Sequence, residues 1–141
     1  MRCSSNFSFL KGASQPEELV ERARQLGYTA LALTDECSLA GIVRAHVAAR
    51  EHELPLIVGS QFEVACAHPF TLVVLACNLN GYGNLCEFIT TLRRRSEKGT
   101  YELHFEELDG AVLDDCVVIA CPRRMSAPAQ LEALGRWLLG H

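Results

Sequence analysis

Residues Tyr28-Thr29-Ala30-Leu31-Ala32-Leu33-Thr34-Asp35-Glu36 run from a nearly unbroken apolar stretch straight into two carboxylates. Thr29 to Thr34 lacks the alternation of a half-exposed strand and suits a parallel strand covered on both faces. Such a strand delivers the residues at its end to the rim of the sheet, where a fixed backbone positions acids for metal binding or acid/base work. The same residues also fit a turn into a helix N-cap, since Asp and Ser are ordinary capping residues. Which reading holds depends on what accompanies the pair.

The rest of the chain alternates between strand and helix patterns. Asn6 to Leu10 is a short alternating segment, and Ser14 with Glu17 matches a capping box for a helix from Pro16 to Leu26 that Gly27 stops. A second helix spans Leu39 to His52 and ends at Pro55. Leu56 to Gly59 reads as a strand continuing into Phe62 to Cys66, His68-Pro69 as a turn, and Phe70 to Cys77 as the strongest strand. Asn78 to Gly83 reads as a loop, Asn84 to Arg95 as a helix, Phe105 to Leu108 as a short helical turn, Cys116 to Cys121 as a buried strand, and Gln130 to Leu139 as an amphipathic helix. Strands alternating with helices imply an α/β domain over residues 1–141, with parallel pairing through right-handed crossovers.

At 141 residues, 49% of them hydrophobic, the chain supports one globular domain with a sizeable core. A net charge of -4 argues against a broad basic face for nucleic acid. The basic runs Arg93-Arg94-Arg95 with Lys98, and Arg123-Arg124, read as solvated ends. Seven cysteines (Cys3, Cys37, Cys66, Cys77, Cys86, Cys116, Cys121) form no CxxC pair and read as reduced core thiols of a cytoplasmic protein. His46, His52, His68, His104 and His141 share no ligand-like spacing and read as surface residues. No apolar stretch approaches the roughly 20 residues that span a bilayer.

The string Ser5-Asn6-Phe7-Ser8-Phe9-Leu10-Lys11-Gly12-Ala13-Ser14, with Pro16-Glu17-Glu18-Leu19, Ala30 to Glu36, Gly59-Ser60-Gln61-Phe62 and Asn78 to Cys86, resembles the start of a PHP (polymerase and histidinol phosphatase) domain. More narrowly, it resembles the N-terminus of error-prone bacterial DNA polymerase III alpha subunits over roughly residues 3 to 110. The resemblance implies a distorted, TIM-like (β/α)7 barrel whose strand ends hold a multinuclear metal site for phosphoester hydrolysis. It also implies a parent polymerase of DNA replication and repair, serving translesion synthesis.

Against that pattern the ligand positions have changed. The HxH pair falls on Arg2 and Ser4, Thr-Asp-His reads Thr34-Asp35-Glu36, Gly-x-Glu reads Gly59-Ser60-Gln61, and a further histidine position falls on Thr71. Asp35 and Glu36 remain as weak candidate ligands for zinc or manganese, and no other cofactor or catalytic residue is expected. The chain is also shorter than polymerase PHP domains, so it reads as the N-terminal portion of one, structural, with a degenerate metal site. Its expected partner is the remainder of the polymerase, with DNA reached only through the parent. A stand-alone metal-dependent phosphoesterase and a non-catalytic interaction module that self-associates through open barrel edges are the competing readings.

Overall fold

A computed structural model describes residues 1–66, 69–105, 113–123 and 128–139. Strands β1 (Arg2–Cys3), β2 (Leu31–Glu36), β3 (Leu56–Val64), β4 (Phe70–Ala76) and β5 (Cys116–Pro122) form one sheet in chain order. The helices are α1 (Pro16–Gln25), α2 (Ile42–Glu51), α3 (Leu79–Arg95) and α4 (Pro128–Leu139).

The expected parallel pairing holds for β1, β2 and β3, whose connections carry α1 and α2. It fails beyond them, because β3–β4 and β4–β5 are antiparallel. A parallel return needs a dozen or more residues, and only five lie between Val64 and Phe70, so the chain must turn back. The second connection, residues 77–115, is long enough for either direction, and the observed pair is antiparallel. The 17-residue α3 is followed by enough chain to re-enter the sheet beside the end of β4, where Ala76 faces Cys116. The fold is therefore mixed α/β.

Side-chain alternation divides the sheet into two unlike faces. Leu31 and Leu33 of β2 join Val20 and Ala23 of α1 and Ile42, Ala45 and Ala48 of α2 in one buried cluster. Phe62, Val64, Leu72 and Val74 pack against Leu85, Phe88 and Leu92 of α3 in the other, with Leu134 of α4 at its margin. All four described helices thus lie on one face. The opposite face carries Arg2, Ala32, Thr34, Glu36, Gly59, Gln61, Glu63 and Thr71, in register from strand to strand.

Local signals shifted in several places. Asn6 to Leu10 is a succession of turns, and the first strand is Arg2–Cys3. The capping box of α1 sits one residue later than Ser14 and Glu17, with the Glu18 carboxylate accepting the Gln15 amide at 2.8 Å, because Pro16 takes the first helical position. The stretch from Leu79 to Gly83 is helical rather than loop: Asn78 Oδ1 caps it by accepting the Gly81 amide at 3.0 Å. Gly81 is needed there because a Cβ would lie 2.1 Å from the Asp115 carbonyl oxygen. Of the seven cysteines, Cys37 is fully buried, Cys3, Cys66 and Cys116 pack partly buried against the two clusters, and Cys77 is exposed, so the core-thiol expectation fails for Cys77. His68, His141, Arg124 and residues 106–108 lie outside the described residues. Among the described residues no helix is long and apolar enough to cross a membrane.

Gly81→Ala should force α3 away from the start of β5, costing about 2 kcal/mol or more. Urea unfolding of the variant against the parent chain checks this.

Candidate functional site at the strand rim

The rim beyond β2 is organised by a buried carboxylate. Asp35 is 2% exposed. Its Oδ1 accepts hydrogen bonds from the Ser5 amide at 2.6 Å and the Ser8 hydroxyl at 2.7 Å, and its Oδ2 accepts one from the Ser5 hydroxyl at 2.7 Å. Both serine oxygens are used again, Ser8 Oγ accepting the Glu36 amide at 3.0 Å and Ser5 Oγ the Phe7 amide at 3.2 Å. Charge-assisted bonds of this kind are what make a buried carboxylate tolerable. They also fasten the loop after β1 onto the end of β2. Gly12 completes the loop, since a Cβ there would stand 1.9 Å from the Ser5 carbonyl oxygen.

Glu36 extends from the opposite face. Its Oε2 pairs with Lys11 Nζ at 2.7 Å, and its Oε1 accepts the Tyr101 hydroxyl at 2.9 Å. The Tyr101 oxygen in turn accepts the Glu63 amide at 2.8 Å. Burial, reinforced by the Glu36 carboxylate, pushes the Tyr101 phenol well above its ordinary pKa. The Arg93 guanidinium lies 5.4 Å from the centre of the Tyr101 ring. It donates to the Cys37 carbonyl oxygen from Nε and Nη2 at 3.2 Å, and to that of Thr100 at 3.1 Å. Cys37 has φ +45°, in the left-handed region, and turns the chain out of β2 where Arg93 holds its carbonyl. Burial pushes the Cys37 thiol up to about 11 despite the opposing Arg93 charge.

The other sequence-derived positions lie along the same rim. Arg2 Nη1 donates to Gln61 Oε1 at 2.9 Å, Ser4 Oγ to the Thr34 carbonyl oxygen at 3.0 Å, and Thr71 Oγ1 to Glu63 Oε1 at 2.8 Å. A cleft of about 330 Å³ opens beside Glu36, between Glu63, Tyr101, Leu103 and Arg123. The structure thus brings Arg2, Glu36, Gln61 and Thr71 to one face and sets Asp35 on the other. Consecutive strand residues point oppositely, so the two carboxylates do not converge on one point. Of the described histidines, His46 and His104 are exposed and His52 closes α2 half-buried. Sequence reasoning missed Ser5, Ser8, Lys11, Arg93 and Tyr101. Only the serines carried a signal, as short hydroxyls in a turn preceding a buried acid.

These residues do not fit a metal centre. Asp35 has both oxygens engaged, Glu36 already meets an ammonium and a phenol, and Arg2 brings a cation onto Gln61. Among the described residues no group of three or more His, Cys, Asp or Glu side chains is placed to hold a metal ion.

The PHP domain matches residues 1–120. The chain belongs to the PHP domain family. Error-prone DNA polymerases from Bordetella parapertussis and Dechloromonas aromatica are each 52% identical to it, over 98% and 99% of the chain, and one from Pseudomonas aeruginosa is 57% identical over 77%. The chain spans only 14%, 13% and 10% of those relatives. Among solved structures, a candidate metal-dependent phosphoesterase from Bifidobacterium adolescentis superposes with a TM-score of 0.56 at 26% identity. An amidohydrolase from Chromobacterium violaceum, with bound sulfate and no metal, gives the same values. Each alignment covers 66% of this PHP chain and 32% of the other protein.

Replacing Asp35 by Ala strips the acceptors from the buried Ser5 amide and two hydroxyls, and should cost roughly 3 kcal/mol in denaturant unfolding. Ser8→Ala, which removes one bond to Asp35 and one from Glu36, should cost less. Tyr101 and Cys37 both hold their protons more tightly when folded than unfolded. Their contribution is complete below the unfolded-state values, about 9 to 10, and is lost as pH rises through the folded ones. The unfolding midpoint should therefore fall between pH 9 and pH 11, and fall less steeply in Tyr101→Phe.

Proposed function

We propose that this chain is the N-terminal PHP segment of an error-prone DNA polymerase, and that its contribution to the parent is structural. On this reading Arg2, Ser4, Asp35, Glu36, Gln61 and Thr71 are the remains of a metal site, now used as a scaffold. The observation that carries it is the occupation of both acids by groups of the chain itself, Asp35 by Ser5 and Ser8 and Glu36 by Lys11 and Tyr101. A carboxylate already satisfied by an ammonium gains little from a second cation.

Residues 1–141 then form one unit that continues into the remainder of the polymerase, and the helix-free face of the sheet becomes the inner wall of a distorted (β/α)7 barrel. DNA synthesis, translesion function and DNA contact belong to the parent, a cytoplasmic enzyme, and this segment holds no catalytic residue. The chain spanning only 14% and 13% of its relatives supports this assignment. A PHP phosphoesterase would instead need its rim acids free to hold zinc or manganese.

The test uses the full-length polymerase. Asp35→Ala should lower its thermal midpoint by several degrees and leave primer extension well below that midpoint within twofold of the parent. Neither chelator nor added zinc or manganese should shift the midpoint. Metal-dependent hydrolysis of a phosphodiester that disappears in Asp35→Ala, or a polymerase indifferent to deletion of residues 1–141, would sink the proposal.

A further inference from the structure

The turn that Asp35 fastens in place carries two apolar side chains into solvent. Phe9 is 83% exposed and Leu10 91%, beside a partly exposed Phe7. Few turns hold large apolar groups this far from a core without a use for them. The tip is also rigid. Ser8 N donates to the Ser5 carbonyl oxygen, and the Ser8 carbonyl oxygen accepts from both Lys11 N and Gly12 N, each at 2.9 Å. Asn6 N reaches across to the Ser14 carbonyl oxygen at 2.9 Å, closing the loop at its base. Below the tip, Lys11 is held by Glu36.

Leu10 is the more telling residue. Its φ is +61°, a left-handed conformation that glycine or asparagine adopts readily and leucine only at a cost. The turn alone gains little from a side chain there, because this one stands almost wholly in solvent. A rigid, exposed aromatic and leucine pair is the form that interface anchors take, since little side-chain and loop freedom remains to be lost on docking.

We infer that Phe9 and Leu10 are a docking anchor that inserts into an apolar pocket on the part of the polymerase outside this sequence. This rests on the polymerase reading above. The occupant follows from length: the chain spans 13 to 14% of the relatives it matches end to end, so most of such a protein lies outside it and must be positioned against it. The clamp on Asp35 then has a second task. It fixes the angle at which the anchor leaves the domain.

The test is limited proteolysis of the full-length polymerase. Phe9→Ser with Leu10→Ser should speed cleavage after this domain at least fivefold and lower the thermal midpoint, with the far-ultraviolet circular dichroism unchanged. Leu10→Gly relieves the backbone strain yet removes the side chain, so it should also speed cleavage; a turn effect alone would slow it. Wild-type cleavage in both variants, with the polymerase still destabilised by deletion of residues 1–141, would overturn the anchor while leaving the polymerase reading intact. Indifference to that deletion would overturn both. Concentration-dependent dimerisation of the 141-residue chain that the double variant abolishes would make a second copy the occupant, and would also overturn it.

Discussion

The carboxylate of Asp35, buried and saturated by Ser5 and Ser8, is the constraint around which this end of the molecule is arranged. Without it, the residues from Ser4 to Ser14 would be a polar loop with no reason to fold back over β2. With it, that loop becomes part of the domain and brings Lys11 within reach of Glu36. Arg93 acts similarly, holding the carbonyl of Cys37 where the chain leaves the strand in a left-handed turn. Two networks of unlike chemistry, one anionic and buried, one cationic and half-exposed, therefore fix the same strand end.

The interactions differ in what they contribute. Lys11 and Glu36 form a partly exposed ion pair, which ordinarily adds about 1 kcal/mol or less. The bonds to Asp35 weigh more because their loss would leave a buried amide unpaired. Hydrogen bonds on the buried side thus set stability, and charge pairing on the other side sets which groups the acids meet. That asymmetry explains how a rim rich in acids persists with protein cations and hydroxyls as its counterparts.

Much of the fold was legible in the sequence. The uninterrupted apolar run of β2 and the strong pattern of β4 identified strands, and the stop signals Gly27 and Pro55 lie just beyond α1 and α2. Strand direction was read correctly only as far as β3, although the short gap between Val64 and Phe70 showed where it must reverse, since no crossover fits in it. The helical start at Leu79 escaped because Gly81 and Gly83 look like loop residues. Gly81 is present for a contact with Asp115, 34 residues away, and local pattern carries no trace of such a contact. The rim positions were readable by resemblance, but their partners were not. Lys11 and Tyr101 join Glu36 from segments 25 residues before it and 65 after it, and only the folded chain brings them together.

The placement of all four described helices on one face of the sheet has a consequence for how such a domain changes over time. The apolar clusters lie on the helix side, whereas positions 2, 36, 61 and 71 lie on the other. A substitution at any of these four leaves the packing between sheet and helices untouched. At these four positions selection for rim chemistry therefore acts apart from selection for a folded scaffold, whereas the buried Asp35 answers to both. The four are free to drift from one chemistry to another, including to none, while Asp35 stays tied to the fold.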